Sequence, residues 1–204
     1  MSKIYYEDYL YGFDLKEIDN KILTANCLDI EKNLMNLFPV EEGAFYDIVG
    51  SKTTQIYNKY NLFTCPYPEL VRLYKHLVEK ITPLLDDRSY MIQSWMNIYR
   101  KNEYINWHNH WESQYDVWHG FYCVQVGNSH TLYDIPGAPT HIKIDSKEGL
   151  LVVGKSKGDK HSSSIWLDDT EPRITLAFDI IPCDVLLSQN NHINHYLPFK
   201  ERST

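Results

Sequence analysis

The stretch MIQSWMNIY, residues 91–99, alternates between two sets of side chains along its whole length. Successive side chains of a β-strand point to opposite faces, so a period of two is typical of a strand. The two sets are Ile92, Ser94, Met96 and Ile98 on one face, and Gln93, Trp95, Asn97 and Tyr99 on the other. We therefore expect one face to meet a helix and the other to line a pocket.

The residues before this strand are predicted to form a mostly helical cover over residues 1–90. A short helix is expected to have Asp29 as its N-cap and to run through Phe38. A longer helix is expected after Pro66 and Pro68, because apolar residues recur there at three- and four-residue steps. This stripe, which should pack on a sheet, consists of Leu70, Leu73, Leu77, Ile81 and Leu84.

After residue 99 the chain offers six further strand candidates, most of them separated by Gly or Pro. They are residues 118–126, 130–135, 140–144, 149–155, 160–166 and 173–181. Helices followed by a series of short strands predict a mainly β protein, a jelly-roll-like double sheet with a helical cover packed on one sheet. We expect a single domain over residues 1–204, with its β core at 91–182 and a C-terminal extension at 183–204.

Composition narrows the class of protein. The chain has 204 residues, 43% hydrophobic and 23% charged, which is ordinary for a globular protein. A net charge of -7 disfavours a nucleic-acid partner, which would require clustered Lys and Arg. The four cysteines form no CxxC pair, so reduced thiols are expected. Residues 1–8 lack an apolar signal segment, and no run reaches the roughly 18 apolar residues of a membrane span, so we expect a cytoplasmic protein with no membrane partner.

Histidines at the edges of strand candidates indicate a metal site. His108 and His110 stand at positions i and i+2, which project to the same side of a strand, and His161 lies at a distant strand edge. Two histidines and one carboxylate, with open positions, form the usual site of non-haem Fe(II) oxygenases.

The third ligand is open at this point, because the ordinary pattern has a carboxylate where this chain has His110. Three arrangements follow: a three-histidine site, a carboxylate recruited from Glu112 or Asp116, or a position left to water. We favour His108, His110 and His161 as ligands, with Glu112 in reserve.

Arg173 begins a strand whose apolar residues, at alternate positions, must be buried. Arg173 and Thr175 therefore point to the opposite, pocket-lining face. A guanidinium there favours a planar, bidentate anion such as a carboxylate, and Thr175 can donate a hydroxyl to the same group. The simpler alternative is an outer-face arginine paired with Asp168 or Asp169. An antiparallel pair across the turn at 168–172 would bring His161 and Arg173 into one pocket, as a 2-oxo acid chelating iron requires.

Several segments in this order resemble a known group: residues 94–99 (SWMNIY), 108–110 (HNH), 120–124 (GFYCV), His161 and residues 173–175 (RIT). They look like the 2-oxoglutarate- and Fe(II)-dependent oxygenases with an H-x-H first motif, distant relatives of prolyl 4-hydroxylases. The similarity covers roughly residues 90–182.

The resemblance implies a double-stranded β-helix, Fe(II) on His108 and His161, and the far carboxylate of 2-oxoglutarate on Arg173. It also implies oxidative decarboxylation of 2-oxoglutarate to succinate and CO2, with O2 as co-reactant and attack on a C–H bond. Most relatives have Asp at the position of His110. Further expected cosubstrate contacts, each with plain core packing as the alternative, are Tyr122, pointing into the barrel beside Arg173, and Asn97 and Tyr99.

Three functions follow from these features. The first is a hydroxylase of a peptide, an amino acid or another small molecule. The second is a cupin-like dioxygenase or isomerase that uses the three histidines without 2-oxoglutarate, which applies if Arg173 points away from the metal. The third is a jelly-roll binding module without metal, which applies if the histidines lie beyond ligand distance of one another. The substrate within its class and the oligomeric state do not follow from the sequence.

Overall fold

The computed structural model describes residues 2–7, 9–40, 50–188 and 195–202. Strands in these ranges are β1 (Ser2–Tyr6), β2 (Leu10–Asp14), β3 (Tyr90–Tyr99), β4 (Trp118–Gln125), β5 (His130–Asp134), β6 (Ile142–Asp145), β7 (Leu150–Lys155), β8 (Lys160–Ser163), β9 (Arg173–Pro182) and β10 (Leu197–Lys200). The α-helices are α1 (Asn20–Leu37), α2 (Lys52–Gln55), α3 (Pro68–Ile81) and α4 (Cys183–Ser188). Short 3-10 turns cover Tyr57–Lys59, Leu62–Thr64, Thr82–Leu84 and Ser113–Tyr115.

The strands form two antiparallel sheets. The larger sheet has seven strands in the order β1-β2-β7-β4-β9-β3-β10, and the smaller has three in the order β6-β5-β8. Phe121 and Val152 of the larger sheet share a buried apolar cluster with Tyr133 and Ile144 of the smaller one. The two sheets therefore pack face to face, which confirms the predicted jelly-roll-like arrangement.

The outer face of the larger sheet carries the helical layer. The α3 residues Leu70, Leu73, Leu77 and Ile81 are fully buried and belong to one cluster with Ile92, Met96 and Ile98 of β3. The predicted α3 stripe and the predicted helix-facing side of β3 are both confirmed. Within the described ranges, no helix combines the length and the apolar character that crossing a membrane demands.

The start of α1 corrects the sequence prediction. The helix begins at Asn20 rather than after Asp29, because Asp19 is the N-cap and accepts hydrogen bonds from the amides of Lys21 and Ile22 at 3.0 and 3.1 Å. Asp29 lies inside the helix and is exposed, and its carboxylate accepts a hydrogen bond from the Tyr67 hydroxyl.

Three outer strands of the larger sheet, its edges β1 and β10 together with β2, were not predicted. β1 and β2 extend it beside β7, within the stretch expected to be mostly helical, and β10 pairs with β3 in the expected C-terminal extension. Each is only four or five residues long, and β2 and β10 also depend on pairing with distant segments, so the local pattern indicates these strands only weakly. Residues 189–194 of that extension lie outside the described residues.

The packing of α3 on the sheet gives a stability prediction. Leu73→Ala should lower the free energy of unfolding by about 2–5 kcal/mol, because it leaves a cavity in a fully buried site. Val71→Ala, on the exposed side of the same helix, should change it by less than about 0.5 kcal/mol. Urea denaturation followed by circular dichroism measures both. Equal losses in the two variants would show that the Leu73 face does not anchor the helix.

Candidate functional site

A cavity of about 730 Å³ opens on the inner face of the larger sheet. β3 and β9 pair in register with Tyr99 opposite Arg173 and Asn97 opposite Thr175. Cross-strand partners share one face, so both pairs line the cavity, as do Trp95 and its partner Ala177. The predicted pocket-lining positions of Asn97, Tyr99, Arg173 and Thr175 agree with this geometry. Such a volume lies within the range of about 300–1,000 Å³ found for ligand pockets.

His108, His110 and His161 meet in this cavity. The backbones of His108 and His161 form a β-bridge with N–H···O distances of 3.1 and 2.9 Å, which places the H-x-H segment beside β8. One ring nitrogen from each of the three histidines lies within 4.8 Å of the others. The condition stated for a metal-free module, histidines beyond ligand distance, is therefore not met.

Hydrogen bonds fix the proton on two of these rings. Nδ1 of His108 lies 2.8 Å from the carbonyl oxygen of Asn106, and Nδ1 of His110 lies 2.6 Å from Oδ1 of Asp179. A carbonyl or an ionised carboxylate accepts, so each Nδ1 donates its hydrogen, and in the neutral form of either ring the lone pair lies on Nε2. That is the form in which imidazole binds a metal ion.

His108 and His161 are held neutral. Burial, reinforced by the neighbouring His110, lowers the pKa of His108 to about 4. Burial and the facing His108 lower the pKa of His161 well below its usual value. Nδ1 of His161 is buried and forms no hydrogen bond within the described residues, an arrangement that costs free energy unless a bound group satisfies the nitrogen. These residues fit a divalent metal ion.

A second group of possible donors lies behind the first and shares His161. It adds His119 and Asp159, whose side chains are buried and form an ion pair of 3.1 Å. Burial opposes the charge on His119, but Asp159 raises its pKa above the usual value, and His119 in turn lowers the pKa of Asp159 despite burial. The charges of these two side chains thus compensate each other, whereas the first group contains no carboxylate.

The inward face of β4 differs from the sequence prediction. β4 pairs with β9 so that His119 lies opposite Asp179 and Tyr122 opposite Leu176. Because partners share a face, His119 turns into the cavity and Tyr122 turns to the helical layer, where its hydroxyl donates to Oδ1 of Asn20 at 2.8 Å. Tyr122 is therefore not placed as a cosubstrate contact, and the expectation that it points into the barrel beside Arg173 is wrong.

The carboxylates expected near the H-x-H segment lie elsewhere. Glu112 is exposed in the following loop, and Asp116 pairs with Lys155 at 2.6 Å and with Arg88 at 3.4 Å. The acidic residue that contacts the H-x-H segment is Asp179, on the cavity face of β9, which accepts a hydrogen bond from His110. The alternation of β9 already placed Asp179 on the face of Arg173, and that signal was available in the sequence.

Arg173 is a buried cation at the cavity wall. Only 2% of it is exposed, its Nε donates to Oγ of Ser129 at 3.0 Å, and it forms no ion pair with a carboxylate of the described residues. The ring of Tyr99 lies 5.4 Å from its guanidinium carbon. Burial lowers the pKa of Arg173 below its usual value, which reflects the cost of an uncompensated charge.

The simpler alternative for Arg173, an outer ion pair with one of the two turn aspartates, is wrong. The carboxylate of Asp168 accepts hydrogen bonds from Thr170 and Glu171 within its own turn. Asp169 pairs with Lys101 at 3.0 Å.

Comparison with solved structures identifies the fold. No family model and no curated protein matches the chain. SnoK, a non-haem α-ketoglutarate-dependent carbocyclase from nogalamycin biosynthesis, matches with a TM-score of 0.60 at 13% identity over 98% of this chain and 91% of its own. A prolyl hydroxylase of Trichoplax adhaerens, in complex with a hypoxia inducible factor peptide fragment, matches at 0.60 and 9% over 90% and 88%. A prolyl-4-hydroxylase of Pseudomonas putida matches at 0.55 and 11% over 85% and 92%. The chain therefore has the double-stranded β-helix fold of these oxygenases.

The neutral histidines generate a pH prediction for protein treated with a chelator. A histidine that is protonated in the unfolded chain near pH 6.5 but resists protonation in the fold until about pH 4 makes folding less favourable as the pH falls between these values. We expect His108 to account for up to about 3 kcal/mol of the decrease in the free energy of unfolding. Between pH 7 and pH 4, the free energy of unfolding measured in urea should fall less steeply for His108→Asn than for the unmodified protein. An equally steep fall in both proteins would contradict the low pKa of His108.

Proposed function

We propose that this protein is a non-haem Fe(II)- and 2-oxoglutarate-dependent oxygenase that hydroxylates a C–H bond and releases succinate and CO2. The metal ligands are His108, His110 and His161, and Arg173 holds the far carboxylate of 2-oxoglutarate. The observation that carries the proposal is the buried guanidinium of Arg173, which pairs with no carboxylate of the described residues and lies in the same cavity as three histidines close enough to hold one metal ion.

The charge of Arg173 favours an anionic ligand over a neutral one. A buried guanidinium is stable only when an anion or several acceptors satisfy its five N–H groups, and Ser129 accounts for one of them. A carboxylate matches the planar fork of the remaining groups. Thr175 lies two residues along the same face and is placed to donate its hydroxyl to that carboxylate.

The other cavity residues position and shield the ligands. Bound Fe(II) supplies the redox chemistry that couples O2 and the oxo acid to C–H oxidation. Thr54 donates to Oδ1 of Asn97 at 2.6 Å, which fixes the orientation of that amide in the wall. Tyr99 packs over Arg173 and, being buried, keeps water from the guanidinium. We assign Asn97 and Tyr99 to shaping the oxo-acid end of the cavity.

The mouth of the cavity favours a substrate with apolar or planar parts. Trp95 packs between the rings of Tyr57 and His110, at 5.5 and 5.6 Å, and Trp107 and Trp111 also line the cavity. Aromatic walls exclude water and bind apolar surface. The solved structures of this fold include both a peptide-bound hydroxylase and an enzyme of small-molecule biosynthesis. A peptide, an amino acid or another small molecule is the proposed substrate class.

A second candidate function is a cupin-like metalloenzyme that uses the three histidines without 2-oxoglutarate. One observation favours it: the first donor group contains no carboxylate. It differs from the main proposal in requiring no oxo acid, so binding of 2-oxoglutarate separates the two.

Removing the guanidinium tests the main proposal. Arg173→Ala should weaken 2-oxoglutarate binding to the Fe(II)-loaded, anaerobic protein by about 100-fold or more, since it removes charge-assisted hydrogen bonds worth about 1.5–3 kcal/mol each. Calorimetric titration measures binding, and succinate release on admission of air measures turnover. Arg202→Ala, which removes an exposed arginine, is the matched control. Tight metal binding without 2-oxoglutarate binding in the unmodified protein would favour the second candidate.

The ligand assignment has its own test. His108→Ala should weaken Fe(II) or Co(II) binding by at least about 100-fold, because it removes a direct ligand. His119→Gln should have little effect, and His76→Ala, on α3, none. Metal content after gel filtration and titration with Co(II) give the affinities. If His119→Gln abolished binding and His108→Ala preserved it, the metal would belong to the second donor group.

A further inference from the structure

His110 differs from the other proposed ligands in the contacts that hold its ring. Its Nδ1 donates to Oδ1 of Asp179 at 2.6 Å, and the side chains of His110 and Asp179 are only 9% and 13% exposed. The ring of Trp95 stacks on the imidazole with centroids 5.6 Å apart and planes 26° from parallel. These contacts set both the position and the plane of the ring.

Asp179 is itself fixed by two donors. Nε1 of Trp111, the residue next to His110, donates to Oδ2 at 3.2 Å, while His110 uses Oδ1. Each carboxylate oxygen thus accepts from a different ring N–H group, so the carboxylate cannot rotate without losing both hydrogen bonds. The His110–Asp179 pair is a rigid unit rather than a mobile surface contact.

The pair has a direct consequence for metal binding. A carboxylate that accepts from Nδ1 keeps the hydrogen on that nitrogen, leaves the Nε2 lone pair free, and makes the imidazole a stronger donor. The pair also places a negative charge on the hydrogen-bond partner of the ligand. A carboxylate ligand at position 110 would instead place that charge on the metal ligand itself.

We propose that Asp179 is a positioning residue that acts on the metal through His110 and thereby replaces a carboxylate ligand at position 110. The proposal rests on the proposed metal site of His108, His110 and His161. It explains why position 110 can be histidine in this chain: the acidic group comes from β9, as a hydrogen-bond partner of the ligand.

Asp179→Asn is the informative substitution, because an amide cannot reproduce both contacts. Its single oxygen can accept from His110 or from Trp111, and its NH2 group then faces the other N–H donor. If the NH2 group faces His110, the ring must accept at Nδ1, and its hydrogen moves to Nε2, the atom proposed to bind the metal. Trp111→Phe removes the contact to Oδ2 alone and serves as the matched control.

The experiment is a double-mutant cycle measured by Co(II) titration of the anaerobic protein. Asp179→Asn should weaken binding by about 10- to 100-fold, as loss of a ligand's hydrogen-bond partner does, and should change the visible Co(II) spectrum. Trp111→Phe should have a smaller effect on both. His110→Asp should bind Co(II) within about tenfold of the unmodified protein, and adding Asp179→Asn to it should then cost less than about threefold.

Other outcomes overturn the proposal. They are binding unchanged in Asp179→Asn, equal losses from Asp179→Asn in both backgrounds (a general structural effect), or loss of binding in His110→Asp. Failure of the unmodified protein to bind Co(II) would instead refute the proposed function itself.

A measurement on the unmodified protein keeps the proposal testable if Asp179→Asn does not fold. The nitrogen chemical shifts of His110 in metal-free protein should show the hydrogen on Nδ1. A hydrogen on Nε2 would overturn the proposal.

Discussion

The register of β9 between β3 and β4 is the constraint on which the structure depends. All ten residues of β9 are buried, and the strand pairs along most of its length with a neighbour on each side. Its even-numbered side chains enter the core beneath the helices, and its odd-numbered ones, from Arg173 to Asp179, face the cavity. A slip of one residue would put the cation in the apolar core and the isoleucines in the cavity, so burial on both faces fixes the register.

The same register arranges charge within the site. Arg173 stands at the start of β9 and Asp179 six positions later on the same face, so one strand supplies both the buried cation and the carboxylate that holds His110. In the cavity, His108 and His161 remain neutral because burial opposes their protonation. A net charge of -7 has no bearing on this, since the local environment decides which groups are charged.

The two donor groups around His161 illustrate how similar residues acquire different roles. His119 and Asp159 form a buried ion pair and so compensate each other's charge. His108 and His110 each donate one hydrogen to an oxygen and keep the other nitrogen free. The difference lies in the hydrogen-bond or ion-pair partner of each ring.

Local patterns in the sequence determined the central strands, the main helix and several residues of the cavity. A period of two gave β3 and β9 with the correct faces, and the α3 stripe gave the helical layer, because these signals depend only on neighbouring residues and on which side is apolar. The same patterns indicated that Arg173 and Thr175 line the pocket and that the three histidines lie at strand edges.

Tertiary structure decided the features that depend on contacts between distant parts of the chain. The inward face of β4, and with it His119 instead of Tyr122, depends on which residue of β9 lies opposite, and both faces of β4 are buried, so polarity gives no sign. The strands β2 and β10 form by pairing with the distant strands β7 and β3, and β1 then pairs with β2. The contact between His110 and Asp179 spans 69 positions of the chain and arises only when the H-x-H loop folds over β9. Sequence fixes the chemistry of each residue, whereas long-range register decides which residues meet.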